Sequence, residues 1–293
     1  MRVAMVGLGT MGLPMARHLV TAGHDVVGCD LDPSRVEALG AGAASTAAEA
    51  AAGADAVLLS LPSPAAVEDA VLGADGVRAG ATSGALLADL STGPPALARR
   101  LAAECPALDV LDAPVSGGPR GAEEASLTVM VGGPEDAFAR AEPLLDVVGA
   151  LVVRVGGHGA GQAAKLCNNL VAGATMAAVG EACALAVAEG IDPGTLYRLL
   201  TASTGDSRVL RTRFPLPGVD AAHPSSNGFA PLFALELMAK DVRLALELAE
   251  RHALDVPVAS AALERYRAAE HDGRGGLDYS AVYRRGEGGE ASD

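Results

Sequence analysis

Lys165 and Asn169 stand four residues apart in Gly159-Ala160-Gly161-Gln162-Ala163-Ala164-Lys165-Leu166-Cys167-Asn168-Asn169. On a helix that spacing puts both side chains on one face, in the first turns after a glycine-rich lead-in. Most lysines occupy solvated faces, but this one interrupts an Ala-rich, otherwise apolar stretch. Partial burial lowers a lysine pKa towards neutrality, as general acid–base work requires. Asn169 supplies an amide able to orient both the ammonium and a substrate hydroxyl.

A second constellation handles phosphate. Gly7-Leu8-Gly9-Thr10-Met11-Gly12 follows an apolar strand candidate and opens a helical stretch. Gly7 permits the tight turn, Gly9 lets backbone approach a pyrophosphate, and Gly12 lets helix and strand pack closely. The helix N-terminus offers its N–H groups to the anion. About twenty residues on, Asp30 ends the second strand candidate, where a carboxylate accepts from a ribose 2′-OH and repels a 2′-phosphate. NAD is therefore expected rather than NADP. A plainer reading is that Asp30 or Asp32 caps a helix starting at Pro33.

Asp112-Ala113-Pro114-Val115-Ser116-Gly117-Gly118 leaves a strand end for a Gly-rich turn. Its successive amides read equally as a nest of donors for a carboxylate and as an ordinary turn. Lys240-Asp241, taken alone, reads as a solvated helix face, with Glu236 four residues earlier as an ordinary partner for Lys240.

These residues need elements to carry them. Strand candidates at 2–6, 25–30, 56–61, 85–90, 109–113, 126–131 and 151–155 alternate with helical stretches at 11–22, 65–72, 95–104 and 135–147. That alternation predicts an α/β Rossmann fold, doubly wound around a mostly parallel sheet. After Gly161 no strand is expected. One long helix over 162–189 is followed by helices at 193–201, 231–252 and 256–270 and by a Gly- and charge-rich tail after Asp272. The long helix has so little polar face that partners should bury it all round. The expected domains are residues 1–160, α/β and carrying the dinucleotide fingerprint, and residues 161–293, all helical.

Composition excludes several classes. The net charge of −14 disfavours nucleic acid and anionic membrane surfaces. Half of the residues are hydrophobic and 20% charged, enough for sizeable cores, yet only 3% are aromatic, so Ala, Val and Leu must fill them. Cys29, Cys105, Cys167 and Cys183 are scattered, with no metal-ligand spacing, and read as buried free thiols. Met1 and Arg2 lead straight into Val3–Val6, leaving no span for a targeting peptide. The stretch Leu170–Val179 is too short and too weakly apolar to span a bilayer. A cytoplasmic location without membrane or metal is the expectation.

Together, GLGTMGLPMA (7–16), DAPVSGG (112–118), GAGQAAKLCNN (159–169) and LMAKD (237–241) resemble the β-hydroxyacid dehydrogenase family, and within it the 3-hydroxyisobutyrate dehydrogenases. Weaker echoes, LPSP (61–64), DLST (89–92), PLPGV (215–219), SSNGF (225–229) and DYSAV (278–282), run in the same order over essentially the whole chain. The resemblance implies a Rossmann domain and an all-α domain joined by a long helix, assembled as a homodimer or homotetramer. It implies NAD-dependent oxidation of 3-hydroxyisobutyrate to methylmalonate semialdehyde, a step of valine breakdown. Lys165 becomes the general acid/base, with Asn169 beside it. Cofactor contacts fall on Gly7, Leu8, Gly9, Thr10, Met11, Gly12, Asp30, Leu61, Pro62, Thr92 and Lys240. Substrate contacts fall on Ser116, Gly117, Gly118, Lys165, Asn169 and Asp241. The solvated reading of Lys240-Asp241 thereby gives way.

The chain departs from the family at Ser203–Arg208, which lacks the aromatic often found there, and at Phe214, where relatives often place Asn. Both lie towards the expected substrate end. A tartronate-semialdehyde reductase is the rival within the class, and a non-catalytic dinucleotide-binding module the rival outside it. The module reading expects the lysine to be lost, and this chain keeps it.

Overall fold

The computed structural model describes residues 1–283. The chain divides into two compact units, Met1–Lys165 and Leu166–Asp293, and the division falls inside one helix, Ala160–Ala188.

The first unit is built on a nine-stranded sheet. Its strands are β1 (Arg2–Val6), β2 (Asp25–Cys29), β3 (Gly42–Ala43), β4 (Ala56–Leu59), β5 (Leu86–Asp89), β6 (Asp109–Asp112), β7 (Val115–Ser116), β8 (Leu127–Gly132) and β9 (Gly149–Gly156). The order is β3-β2-β1-β4-β5-β6-β8-β7, with β9 paired to β8. Pairing is parallel from β3 to β6 and between β8 and β9, and antiparallel where β8 meets β6 and β7. Alternate residues feed two cores. Val3, Met5, Leu58 and Leu86 pack on one face, and Ala4, Val6, Val57 and Leu87 on the other. Burial on both faces explains why these strands read as continuous apolar runs.

The strand order reverses between β1 and β4, so their carboxyl ends form the topological switch point where doubly wound sheets bind ligands. The two-residue strands β3 and β7 and the helices Ala47–Ala51 and Gly118–Glu123 escape periodicity analysis, because each is too short to repeat its period enough times to show it.

The second unit is helical, with Pro193–Thr201, Arg208–Thr212, Leu235–Arg251 and Pro257–His271 beside the remainder of the long helix. Met176, Met238, Val242, Leu263 and Tyr266 share its main core. Tyr266 is fully buried and donates its hydroxyl to the Gly173 carbonyl at 3.1 Å, which satisfies its polar end.

Three expectations need correction. The long helix is not buried all round, since Val171 (61%), Leu185 (66%) and Val187 (51%) are exposed. The rest of the described chain covers only part of this 29-residue helix. Nor is Leu170–Val179 an isolated short stretch: it belongs to that helix, which is long and apolar enough by length and composition to cross a membrane. Its first turn is nevertheless hydrogen-bonded to the sheet of the first unit (Gln162, Asp112), as in a core helix. Finally, the segment after Asp272 is not simply a tail. Tyr279–Tyr283 form a short helical turn with Tyr279 to Val282 buried, because Asp278 ties the segment to the backbone of Leu232 and Phe233. Residues 284–293 lie outside the described part.

Candidate active site

The glycine turn leaves β1 at the switch point. Gly7 has φ +91°, and a Cβ built on it would lie 2.3 Å from the Ser60 carbonyl oxygen. A Cβ on Gly12 would lie 1.9 Å from the Gly7 carbonyl oxygen. Only glycine fits at either place. Gly9 differs, because a Cβ there would meet nothing closer than Arg35 Nη1 at 3.8 Å. Gly7 and Gly12 thus serve the fold, and Gly9 leaves an open backbone face. The helix that follows, Gly12–Thr21, has no side-chain cap at its N-terminus. These features fit a dinucleotide pyrophosphate.

Asp30 and Asp32 have separate tasks. Asp32 caps the helix Pro33–Leu39, accepting from Ser34 N–H at 3.0 Å. Asp30 accepts from Leu8 N–H at 2.7 Å through Oδ2 and from Asp32 N–H at 2.9 Å through Oδ1. Its carboxylate therefore ties the glycine turn to the end of β2, with Arg35 Nη1 3.6 Å away.

The loops after β4, β5 and β6 carry the next candidates on the same carboxyl edge. Leu61 is half-buried and Pro62 exposed; Thr92 is half-buried. Leu61 N–H donates to Ser91 Oγ at 2.9 Å, and Ser91 N–H to Asp89 Oδ1 at 2.9 Å, so the loops holding Leu61 and Thr92 are joined. Ser116 ends β7, paired with Thr128 of β8, and Gly117 and Gly118 follow with φ of +144° and +66°. Those positive angles suit glycine and turn successive amides out of the strand.

The turn bearing Lys165 is anchored to this edge. Asp112, at the end of β6, accepts from Gly159 N–H at 2.7 Å and from Gln162 N–H at 2.9 Å. It is 1% exposed, and burial pushes its carboxyl above the usual range against the opposing pull of those two bonds. A Cβ on Gly161 would lie 2.3 Å from the Met130 carbonyl oxygen and 2.5 Å from that of Asp112. Backbone thus packs directly on backbone. Lys165, one turn further along, is 7% exposed.

In the second unit, Asn169 Nδ2 donates to Asp241 Oδ2, and Asn168 Nδ2 donates to Asn169 Oδ1 at 2.9 Å. Lys240 Nζ lies 3.2 Å from Asp241 Oδ1. Asp241 is buried, so the solvated reading of this pair fails. The carboxylate stands behind the Asn169 amide and fixes which way it faces.

Sequence reasoning gave no role to Asp112, Gln162, Ser91 or Arg35. Asp112, Gln162 and Ser91 lie inside the segments DAPVSGG, GAGQAAKLCNN and DLST, and a lone carboxamide opening an Ala-rich helix is the available signal. One of the thiols read as buried, Cys167, is exposed. It takes the outward side of the helix, whereas Cys29, Cys105 and Cys183 are buried. Among the described residues no cluster of His, Cys, Asp or Glu is gathered to hold a metal ion.

Comparison with known proteins accounts for both units. Residues 2–157 match the NAD binding domain of 6-phosphogluconate dehydrogenase, and residues 159–285 match the NAD-binding domain of NADP-dependent 3-hydroxyisobutyrate dehydrogenase. The chain is 42% identical to a 3-hydroxyisobutyrate dehydrogenase of Pseudomonas aeruginosa over 96% of both chains. It is 40% identical to an NAD-dependent L-serine dehydrogenase of the same organism, again over 96% of both. A solved 3-hydroxyisobutyrate dehydrogenase of Mycobacterium tuberculosis with L-serine superposes with a TM-score of 0.89 at 38% identity, covering 96% of this chain and 97% of that one. With these relatives and this Rossmann architecture, the chain belongs to the β-hydroxyacid dehydrogenase family and is an NAD-dependent oxidoreductase acting on the CH–OH group of a small hydroxy acid.

Proposed function

We propose that this chain oxidises 3-hydroxyisobutyrate to methylmalonate semialdehyde, with Lys165 as general acid/base. The observation that carries the reading is the burial of Lys165 on a turn pinned to the carboxyl edge of the dinucleotide-binding sheet. NAD, when bound, supplies the hydride acceptor. It is held by Gly7, Leu8, Gly9, Thr10, Met11 and Gly12 at its pyrophosphate, by Asp30 at its ribose, and by Leu61, Pro62, Thr92 and Lys240. Ser116 and the amides of Gly117 and Gly118 hold the substrate carboxylate. Lys165 takes the hydroxyl proton as the carbonyl forms and returns it in the reverse reaction. Asn169, four residues along the same helix, orients that hydroxyl, and Asp241 fixes the Asn169 amide. We assign residues 1–160 chiefly to cofactor binding, with Ser116, Gly117 and Gly118 for the substrate, and residues 161–293 chiefly to substrate binding and assembly, with Lys240 for the cofactor. The exposed apolar residues Val171, Leu185 and Val187 support a homodimer or homotetramer.

A second substrate has specific support. One relative is an L-serine dehydrogenase, and a solved relative holds L-serine. Serine shares the 3-hydroxy acid skeleton and differs at the second carbon. Measuring kcat/KM for 3-hydroxyisobutyrate, glycerate and L-serine with NAD and NADP separates the readings, and glycerate turnover would favour the tartronate-semialdehyde reductase alternative. Lys165→Ala should lose on the order of a hundred- to ten-thousand-fold in kcat while still binding NADH. Near-normal turnover in that variant would remove the acid/base assignment.

A further inference from the structure

Gln162 makes three hydrogen bonds, and they join parts of the first unit that the proposed chemistry uses separately. Its backbone N–H donates to Asp112 Oδ2 at 2.9 Å. Its side-chain Oε1 accepts from Gly93 N–H at 2.9 Å, and its Nε2 donates to the Ser91 carbonyl at 2.8 Å. The carboxamide thus brackets Thr92 from both sides. Through Ser91 Oγ the same link reaches Leu61 N–H. Lys165 follows three residues later, about 4.5 Å along the helix axis at the usual rise.

The chemistry at this position is restrictive. Gln162 is 1% exposed, and its partners are one buried carbonyl and one buried N–H. A neutral carboxamide satisfies both at once, because it carries a donor and an acceptor on one plane. Methionine of similar length would leave both partners unsatisfied. Glutamate could accept from Gly93 but would set a charge against the Ser91 carbonyl. The alanines and glycines of this turn carry no side-chain polar group to offer the loop.

We infer that Gln162 is a positioning residue: its carboxamide locks the Ser91–Gly93 loop to the turn bearing Lys165, so that NAD binding and the placement of the amine are set together. The inference rests on the proposed roles of Thr92 and Lys165.

Gln162→Met and Gln162→Glu test it, with Lys165→Ala in parallel. NADH affinity is read by fluorescence of the reduced nicotinamide, with kcat, KM and thermal melting alongside. Gln162→Met should weaken NADH binding and lower kcat, each on the order of tenfold, at every pH. Gln162→Glu should show the same loss near pH 8 and recover NADH affinity as pH falls, because the protonated carboxyl regains the donor for Ser91. Asp89 and Asp112 on the neighbouring strand ends would raise the pKa of the introduced carboxyl, and Lys165 and His158 would lower it. The wild type should show no such recovery.

A purely structural glutamine would lower the melting temperature and leave NADH affinity and its pH dependence unchanged, and that result would overturn the inference. Should neither variant fold, hydrogen exchange on the wild type decides. NADH should slow exchange in both the 91–93 and 159–165 peptides, and protection confined to 91–93 would refute the coupling. Full turnover in Lys165→Ala would instead sink the acid/base assignment and leave the binding measurements interpretable.

Discussion

Asn169 and Asp241, 72 residues apart in sequence, are joined by a 2.5 Å hydrogen bond in which the amide nitrogen faces the carboxylate. A carboxylate only accepts, so this contact dictates the orientation of the amide. Asn169→Asp would place two buried carboxylates in contact, and one must then hold a proton. A group with a raised folded pKa contributes stability at low pH that is lost as pH rises. The variant should lose on the order of 2 kcal/mol near pH 8 and less near pH 5, in urea unfolding followed at both pH values. A pH-independent deficit would contradict the pairing.

The two outer glycines of the turn and the middle one should respond differently to alanine. Gly12→Ala forces a Cβ to 1.9 Å from a backbone oxygen and should cost about 2 kcal/mol or more of stability. Gly9→Ala has room in the protein and should leave unfolding within about 0.5 kcal/mol of wild type. It should still raise the Kd for NADH at least tenfold, by roughly the cost of a displaced pyrophosphate. Equal losses of stability in the two variants would remove the distinction.

Asp112 provides a test of acid behaviour. Burial raises its pKa in the folded state despite the N–H groups of Gly159 and Gln162. The native state then holds a proton more tightly than the unfolded chain, whose carboxyl titrates at about 3.9. The corresponding stability is complete below that value and is lost as pH rises through the folded pKa. The stability advantage of wild type over Asp112→Asn should therefore shrink as pH rises from about 3.9, in denaturant melts across a pH series. A widening gap would mean that the two N–H bonds outweigh burial.

The cysteines should separate by reactivity. Burial pushes the Cys183 thiol up to about 12 and raises those of Cys29 and Cys105, whereas Cys167 is exposed. A thiol-reactive disulfide should label Cys167 first and leave the others until the protein unfolds. Mass mapping of the native protein would show this, and early labelling of Cys183 would contradict the fold.

What was legible in the sequence was local. The glycine turn, the seven longer strands and the long helix each show their pattern within a short window. The helix expected over 231–252 instead begins at Leu235. Asp278 accepts from the backbone of Leu232 and Phe233, and Ala234 bridges to the same residue, so distant partners hold the preceding residues extended. Periodicity could not reveal that competition. Gln162 escaped for the same reason, since its partners lie 69 and 71 residues away. Spacing puts Lys165 and Asn169 on one helix face, but the carboxylate to which the Asn169 amide donates lies on another helix.

Gly161 leaves no slack beneath the amine. With its own backbone pressed against the carbonyls of Met130 and Asp112, the opening turn of the long helix can neither slide nor roll without breaking the end of the sheet. With Lys165 in the proposed acid/base role, lineages adapting to new alcohols inherit a reagent bolted to a fixed bench. Diversification must come from reshaping the walls around it, and directed evolution of substrate range should leave residues 159–165 untouched.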